Sequence, residues 1–203
     1  MKLYYSPGSC SLSPHIVAQE IGLPLKLEKV DNKTKTTETG ADFWKINPKG
    51  YVPALELDDG ELLTEGTAIV QYLADRKPES GFAPPNGTLA RSRLQEMLGY
   101  INSEIHKTYS PFFKADTPKE TLVEREAYLR KRYRLIEEIL SKQDWLLGDK
   151  FGPADAYLFV VTNWARGIKL DLSEFPALLA FQKRVAARPA VHAAMLAEGL
   201  VKA

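Results

Sequence analysis

The sequence is poor in cysteine, in histidine and in net charge. One cysteine among 203 residues excludes an internal disulfide and any metal site built from four cysteines. The three histidines are scattered and lack the spacing of a metal-binding motif. Net charge is +1, so the overall charge favours neither nucleic acid nor an anionic membrane as a partner. We therefore expect no metal, no nucleic acid and no membrane among the partners.

Long apolar runs are also lacking. No run approaches the ~20 residues of a membrane-spanning helix. The opening residues, MKLYYSPG, predict a strand at once, so no signal peptide is expected. Hydrophobic content of 44% and charged content of 26% are typical of a globular protein. A single cysteine fits a reducing compartment, and we expect a cytoplasmic protein.

Residues 47–70 carry three signals in a fixed order. Pro53 precedes the alternating run 54–57, and an X-Pro bond before a strand is a place where a cis peptide occurs. An Asp-Asp-Gly turn then predicts a β-hairpin. An amphipathic helix is predicted to begin near Glu65. This stretch is the most informative part of the sequence.

The residues before this stretch predict a strand–helix–strand unit. Strands are expected over residues 2–5 and 25–31, with a helix over about 11–21 between them. With a short helix near 41–46, the order becomes β-α-β-α-β-β-α. That order is typical of the thioredoxin-like fold with a mixed sheet, which we predict over residues 1–78.

The remainder of the chain predicts only helices. The Pro-Pro-Asn-Gly run marks a linker over residues 79–88. Three long helices carry apolar residues at helical spacing: Leu94, Leu98, Ile101 and Ile105; Leu129, Tyr133, Ile136 and Leu140; Ala154, Leu158, Val161 and Ala165. Two further helices are predicted over residues 175–187 and 189–197. We therefore predict an all-helical bundle domain over residues 89–203, following the α/β domain.

Cys10 lies where the first loop meets the first helix. The helix dipole and the N–H groups of the first turn favour a thiolate at such a position. Ser13 stands where thioredoxins have a second cysteine, so this chain supplies no resolving thiol. Cys10 can then form a mixed disulfide with a small thiol, or hold one. The alternative is a packed, inert cysteine.

The chain resembles the bacterial beta class of glutathione transferases, which carries a cysteine where other classes use tyrosine or serine. The resemblance runs along nearly the whole chain, in PGSCSLSPHI, NPKGYVPAL, LTEGTAIVQYLAD, SEIHKTYSPFF, DAYLFVV and AEGLVK. It implies a homodimeric glutathione S-transferase with glutathione as co-substrate and no metal. The second domain would supply the electrophile pocket and part of the dimer interface.

The resemblance assigns the glutathione site to backbone and side chains of the first domain. Val52, before Pro53, would pair backbone to backbone with the cysteinyl part of glutathione. Glu65 and Gly66 would hold the γ-glutamyl end. Physical chemistry agrees, because a helix N-terminus favours a carboxylate and Glu65 can meet an α-ammonium. The alternative is a hairpin and helix with an incidental acidic residue.

Further roles follow from the same resemblance. Lys35 and Lys107 would neutralise the glycyl carboxylate of glutathione or line the site. Ser103 and Glu104 would reach the glutathione of the partner subunit. His106 would point at the sulfur beside Cys10 and accept a thiol proton or, if charged, stabilise a thiolate. Its alternative is a structural histidine.

Aromatic residues would enclose the electrophile. Trp164, with Tyr109 and Phe113, would wall the pocket; the alternative for these rings is core packing. Two positions depart from the family pattern. Gly99 stands where asparagine is common, which removes a possible hydrogen bond to the sulfur. Gly152 stands where Ser or Thr caps a helix, and this helix is expected to survive because glycine is a tolerable N-cap.

Three functions remain open. The first is conjugation of glutathione to aryl or alkyl halides, including reductive dehalogenation, in detoxification or xenobiotic degradation. The second is thiol–disulfide exchange or peroxide reduction through a mixed disulfide on Cys10. The third is a non-enzymatic carrier of apolar ligands.

Overall fold

The N-terminal unit is built on a five-stranded mixed sheet. The computed structural model describes residues 1–202. The strands are β1 Lys2–Tyr5, β2 Lys26–Asp31, β3 Thr36–Thr37, β4 Ala54–Glu56 and β5 Leu62–Thr64, in the spatial order β3-β2-β1-β4-β5. β1 is parallel to β2, and every other pair is antiparallel. The predicted thioredoxin-like arrangement is confirmed.

Three helices follow in the predicted places. They are α1 Leu12–Glu20, α2 Phe43–Ile46 and α3 Gly66–Asp75. The peptide bond between Val52 and Pro53 is cis, as predicted, and it leads directly into β4. The sequence analysis missed β3, because a strand of two residues is too short to show an alternating pattern.

The core of this unit lies on both faces of the sheet. α1 is buried from Leu12 to Ala18 and packs against α3. On another part of the sheet, Phe43 is fully buried and groups with Tyr4, Val30 and Val52. Removal of a ring as large as that of Phe43 typically costs about 3–5 kcal/mol. Val52 belongs to the same buried group as Phe43, so packing in the core holds Val52 in place.

The second unit contains helices only, among the residues described. They are α4 Leu89–Tyr100, a π-helical segment Ile101–His106, α5 Lys107–Tyr109, a 3-10 turn Ser110–Phe113, α6 Lys119–Leu140, α7 Pro153–Gly167 and α8 Pro176–Ala186. The apolar stripes predicted on α4 and α6 are buried. None of the described helices is long and apolar enough to cross a membrane.

α7 is more deeply buried than its predicted stripe. Its residues from Pro153 to Thr162 are all buried, because α4, the π-helical segment and α8 pack around it. Its N-terminus survives with Gly152 as N-cap, as expected. The carboxylate of Asp155 accepts the N–H groups of Gly152 and Leu146, at 2.9 and 2.8 Å. Asp155 thus makes its own half of a capping box, while Gly152 has no side chain to make the other half.

The last helix, α9 Pro189–Ala197, does not belong to the helical unit. One compact unit contains residues 1–83 and the segment from Ala187 onward, and the other contains residues 84–186. α9 packs on α1, and Arg188 donates two hydrogen bonds to Glu20, at 2.6 and 2.8 Å. The predicted domain of residues 89–203 is corrected accordingly. The division at residue 83 does fall inside the predicted linker.

Candidate functional site

Cys10 lies next to the residue predicted to bind the cysteinyl part of glutathione. It precedes Ser11, the N-cap of α1, and is half-buried. Its thiol donates to the carbonyl oxygen of Val52, with 3.4 Å between Sγ and the oxygen. The structure thus brings together two of the predicted site residues that are 42 positions apart.

Glu65 occupies a backbone conformation that favours glycine. It is the N-cap of α3, with φ +68° and ψ +113°. Such a conformation costs a non-glycine residue about 1–3 kcal/mol and is concentrated at functional sites. Its half-exposed carboxylate accepts Nζ of Lys49 at 2.6 Å and the hydroxyl of Tyr51 at 3.3 Å. The hydrogen bond between Lys49 and Glu65 raises the pKa of Lys49.

Gly66 is the first residue of α3 and lies next to Pro53, so it connects the region of Glu65 with the region of Cys10 and Val52. A Cβ atom at Gly66 would lie 3.6 Å from Cγ of Pro53, an ordinary contact distance. The start of α3 is therefore adjacent to the cis-proline. One region of the N-terminal unit contains Cys10, Val52, Pro53, Glu65 and Gly66.

Lys35 approaches this region through an aromatic residue. Its Nζ lies 6.0 Å from the ring centroid of Trp44. The indole of Trp44 packs against Gly50, where an added Cβ would lie 2.2 Å from the ring. Gly50 in turn stands between the two residues that bind Glu65. Lys35 is thus linked to the glutamate through a chain of contacts rather than directly.

His106 is the centre of a polar cluster in the helical unit. It ends the π-helical segment, a form of helix that is frequent at functional sites. Its Nδ1 lies 2.5 Å from the hydroxyl of Tyr157, which donates to Oδ1 of Asn102 at 2.9 Å. The indole of Trp164 meets the imidazole edge-on, with 4.8 Å between centroids.

Burial keeps His106 neutral. Loss of solvation, with a smaller contribution from the charge of Lys107, lowers the pKa of His106 to about 4. The imidazole is then uncharged near neutral pH. Of the two roles that the resemblance implies, proton acceptor and cation, this environment disfavours the cation. The neutral imidazole can accept a hydrogen bond from a thiol, but a pKa of about 4 makes it a weak base.

Tyr109 is a core residue, which corrects its predicted place in the electrophile pocket. Its side chain is fully buried, and its hydroxyl lies 3.0 Å from that of Tyr133. Tyr133 donates to Thr162 at 3.2 Å. Trp164 is half-buried and Phe113 is 59% exposed, and their rings meet edge-on at 5.5 Å. These two can still present an aromatic surface to a ligand.

The comparisons with known proteins agree with this geometry. Models of the glutathione S-transferase N-terminal and C-terminal domains match residues 8–76 and 100–189. The chain is 46% identical to the glutathione S-transferase GstA of Escherichia coli O157:H7, over 98% of this chain and 100% of that protein. The chain belongs to the glutathione S-transferase family.

Solved structures place this transferase beside beta-class members. A bacterial beta-class glutathione S-transferase from Sphingomonas chungbukensis is 43% identical, with a TM-score of 0.96 over 99% of this chain and 100% of that one. A sphingomonad glutathione S-transferase complexed with glutathione is also 43% identical, with a TM-score of 0.95 and the same coverage. The predicted family, enzyme class and fold are confirmed.

The remaining predicted residues of this transferase have contacts within their own unit. Glu104 forms an ion pair with Arg132, with 2.8 Å between Oε2 and Nε, and it accepts the hydroxyl of Tyr128 at 2.5 Å. Ser103 donates to the carbonyl of Gly99 at 3.0 Å, and Lys107 is exposed. A Cβ atom at residue 99 would meet no atom within 4 Å. The contacts of Glu104 compete with its predicted reach to a partner subunit.

Sequence reasoning missed two pairs of residues in the transferase. Lys49 and Tyr51 bind Glu65. Tyr157 binds His106, and Asn102 in turn accepts the hydroxyl of Tyr157. All but Asn102 lie in runs that carry the family resemblance, but nothing in those runs indicates which residues meet. Among residues 1–202, no group of three or more His, Cys, Asp or Glu side chains is arranged to hold a metal ion.

Proposed function

We propose that this transferase conjugates the thiolate of glutathione to small hydrophobic electrophiles such as aryl or alkyl halides. The hydrogen bond from the Cys10 thiol to the Val52 carbonyl carries the proposal. A peptide that pairs with the backbone at Val52 would place its cysteinyl group beside that thiol. The family membership and the glutathione complex of a relative support glutathione as this peptide.

Binding of glutathione would use the two ends of its γ-glutamyl group. The α-carboxylate would accept N–H groups at the N-terminus of α3, beginning at Gly66. The α-ammonium would pair with Glu65, where it would meet Lys49 as a competing cation. Lys35 is the cation we propose for the glycyl carboxylate.

The chemical step requires a thiolate. His106 is neutral, and we propose that its imidazole accepts a hydrogen bond from the glutathione thiol and orients it, while the thiol proton leaves to solvent. The sulfur then forms a bond with the electrophilic carbon, and for a halide substrate the carbon–halogen bond breaks with release of halide. Trp164 and Phe113 offer the apolar contact surface for such a substrate.

A second function uses Cys10 itself as the nucleophile. Its thiol is half-buried rather than sealed in the core, which supports reaction with a disulfide. The Cys10 thiolate would attack the glutathione sulfur of a glutathione-containing disulfide and release the other sulfur as a thiolate, which leaves a mixed disulfide between Cys10 and glutathione. A second glutathione would then attack the mixed disulfide, giving oxidised glutathione and reduced Cys10.

One pair of assays separates the two functions. Cys10→Ser and the parent are compared in conjugation of a chlorinated dinitrobenzene and in reduction of a mixed disulfide. Conjugation that survives in Cys10→Ser would support the transferase proposal, with Cys10 as a positioning residue. Disulfide reduction that is lost in Cys10→Ser, beside weak conjugation in the parent, would place the second function first. Absence of both activities in the parent would contradict both proposals.

We also propose a cytoplasmic homodimer. The exposed rings of Trp44, on α2, and of Tyr51, in the segment after α2, support a contact with a second copy. Light scattering of the purified protein tests the assembly, and a monomer at micromolar concentration would overturn it.

A further inference from the structure

Glu198 is a buried carboxylate that the reaction does not use. Its side chain is 0% exposed, and a buried carboxylate needs hydrogen-bond partners. One oxygen lies 3.0 Å from Nδ1 of His15 on α1. The other accepts the backbone N–H of Gly8 at 3.0 Å. A residue near the end of the chain thus holds the loop that leads into Cys10.

Leu200 makes a second contact with the same loop. A Cβ atom at Gly8 would lie 3.3 Å from Cδ2 of Leu200, and Gly8 has φ +69°. Gly8 therefore accommodates the leucine both by its lack of a side chain and by its backbone conformation. We call residues 198–200 the C-terminal clasp.

The end of α9 sets the geometry of the clasp. Gly199 has φ +72° and turns the chain, so that the N–H of Leu200 reaches the carbonyl of Met195 at 2.9 Å. This turn brings both Glu198 and Leu200 onto the loop. α9 itself is anchored to α1, so the clasp is tied to the same helix that Cys10 precedes.

The loop is bonded internally, so that a displacement of Gly8 reaches Cys10. The N–H of Ser9 donates to the carbonyl of Ser6 at 3.0 Å. The N–H of Ser6 donates to Oγ of Ser11 at 3.1 Å, and the Ser9 and Ser11 hydroxyls are 2.8 Å apart. Only one residue separates Gly8 from Cys10.

We propose that the C-terminal clasp is a positioning device for the thiol of Cys10. Glu198 and Leu200 hold the loop of residues 6–9 so that the thiol faces the carbonyl of Val52. The effect of the clasp on turnover rests on the proposed function. The effect of the clasp on the position and reactivity of the Cys10 thiol does not. The test therefore measures the cysteine directly.

The experiment compares full-length variants by the rate at which iodoacetamide alkylates Cys10. Glu198→Gln and Leu200→Ala loosen the clasp. Arg188→Gln removes the two hydrogen bonds to Glu20 of α1, at the other end of α9 from the clasp. We expect alkylation to rise about tenfold in Glu198→Gln, as for loss of one charge-assisted hydrogen bond. Leu200→Ala should show a smaller rise. Arg188→Gln should keep the parent rate even where its thermal midpoint falls.

A measurement on the parent protects the test against a variant that does not fold. Amide hydrogen exchange at Gly8 should be as slow as that of the buried turns of α1. Rapid exchange at Gly8 would overturn the proposal, as would a parent rate of alkylation in a folded Glu198→Gln. So would equal increases in Arg188→Gln and Glu198→Gln. Loss of conjugation with an intact response of Cys10 would count against the transferase reaction and leave the clasp standing.

Discussion

The Nδ1 atom of His106 lies 2.5 Å from the hydroxyl oxygen of Tyr157. That hydroxyl donates its own hydrogen to Asn102, so its oxygen can only accept from the imidazole. A neutral His106 therefore carries its proton on Nδ1 and has its lone pair on Nε2. The polar cluster thus orients the lone pair of Nε2 as a hydrogen-bond acceptor.

Removal of the Tyr157 hydroxyl should free the imidazole of His106 from its fixed tautomer. In Tyr157→Phe we expect conjugation to lose about tenfold in kcat, because the thiol would lose an oriented hydrogen-bond acceptor. Nitrogen NMR of the histidines should show Nδ1–H in the parent and a tautomer mixture in the variant. Tyr133→Phe is the matched control, because its hydroxyl binds Tyr109 and Thr162 instead. An Nε2–H tautomer in the parent would contradict the assignment.

Titration of His106 should occur far below its ordinary range. We expect an NMR midpoint of about 4, since burial and Lys107 both disfavour the imidazolium. As the pH falls, the imidazole is protonated near 6.5 in the unfolded chain but only near 4 in the folded protein. The free energy of unfolding should therefore rise with pH between about 4 and 6.5 and then level off. The contribution of this group is at most about 1.4 kcal/mol per pH unit.

Two variants distinguish the contribution of His106 to this pH dependence from the contributions of the carboxylates. His106→Gln should remove it from the pH dependence of urea unfolding. Lys107→Gln should move the midpoint of His106 upward, because one neighbouring positive charge is gone. A midpoint near 6.5 in the parent would show that the imidazole is solvated.

Glu65 should act on glutathione binding rather than on the chemical step. Glu65→Gln removes the charge that would meet the α-ammonium, and we expect KM for glutathione to rise about tenfold with kcat nearly unchanged. Glu61→Gln, at an exposed carboxylate of the hairpin, serves as control. An unchanged KM in Glu65→Gln would separate this residue from the binding site.

Two aromatic residues of the helical unit should respond differently to substitution. Tyr109→Phe removes a buried hydroxyl that is bonded to Tyr133, and we expect a loss of about 1 kcal/mol in stability with the same preference among electrophiles. Trp164→Ala should change the relative rates with small and large aryl halides. A change of preference in Tyr109→Phe would return that residue to the pocket.

Gly50 should tolerate substitution much less than Gly60. Both have positive φ, but an added Cβ at Gly50 would collide with Trp44, and at Gly60 it would meet no atom within 4 Å. We expect Gly60→Ala to cost about 1 kcal/mol and Gly50→Ala about 2–4 kcal/mol. Urea unfolding of the two variants measures the difference. Equal costs would mean that the indole moves aside readily.

Much of the fold was predictable because its signals are local. The hairpin of β4 and β5 follows from an alternating run and a turn sequence, and the cis-proline before it from its position. The stripes on α4 and α6 follow from helical periodicity. Two local predictions were incomplete: β3 is too short to show a pattern, and α7 is buried on more sides than its stripe indicates.

The candidate site was predictable only in part. The resemblance selected Cys10, Val52, Glu65 and Gly66, and the structure brings these residues together in one unit. It also selected Tyr109, which the structure places in the core. A tyrosine in an aromatic cluster has the same sequence signature in a pocket wall and in a core, because both are apolar.

The amino-acid sequence alone predicts the order of helices and strands, the family of the enzyme and a set of candidate site residues around the cis-proline. Those features depend on neighbouring residues, whose spacing the chain itself sets. Only the tertiary structure decided that α9 joins the first unit, that His106 binds Tyr157 at 51 positions' distance, and that Glu198 holds Gly8 at 190. Such pairs form because packed helices bring distant residues within hydrogen-bond reach, and no local pattern encodes which residues will meet.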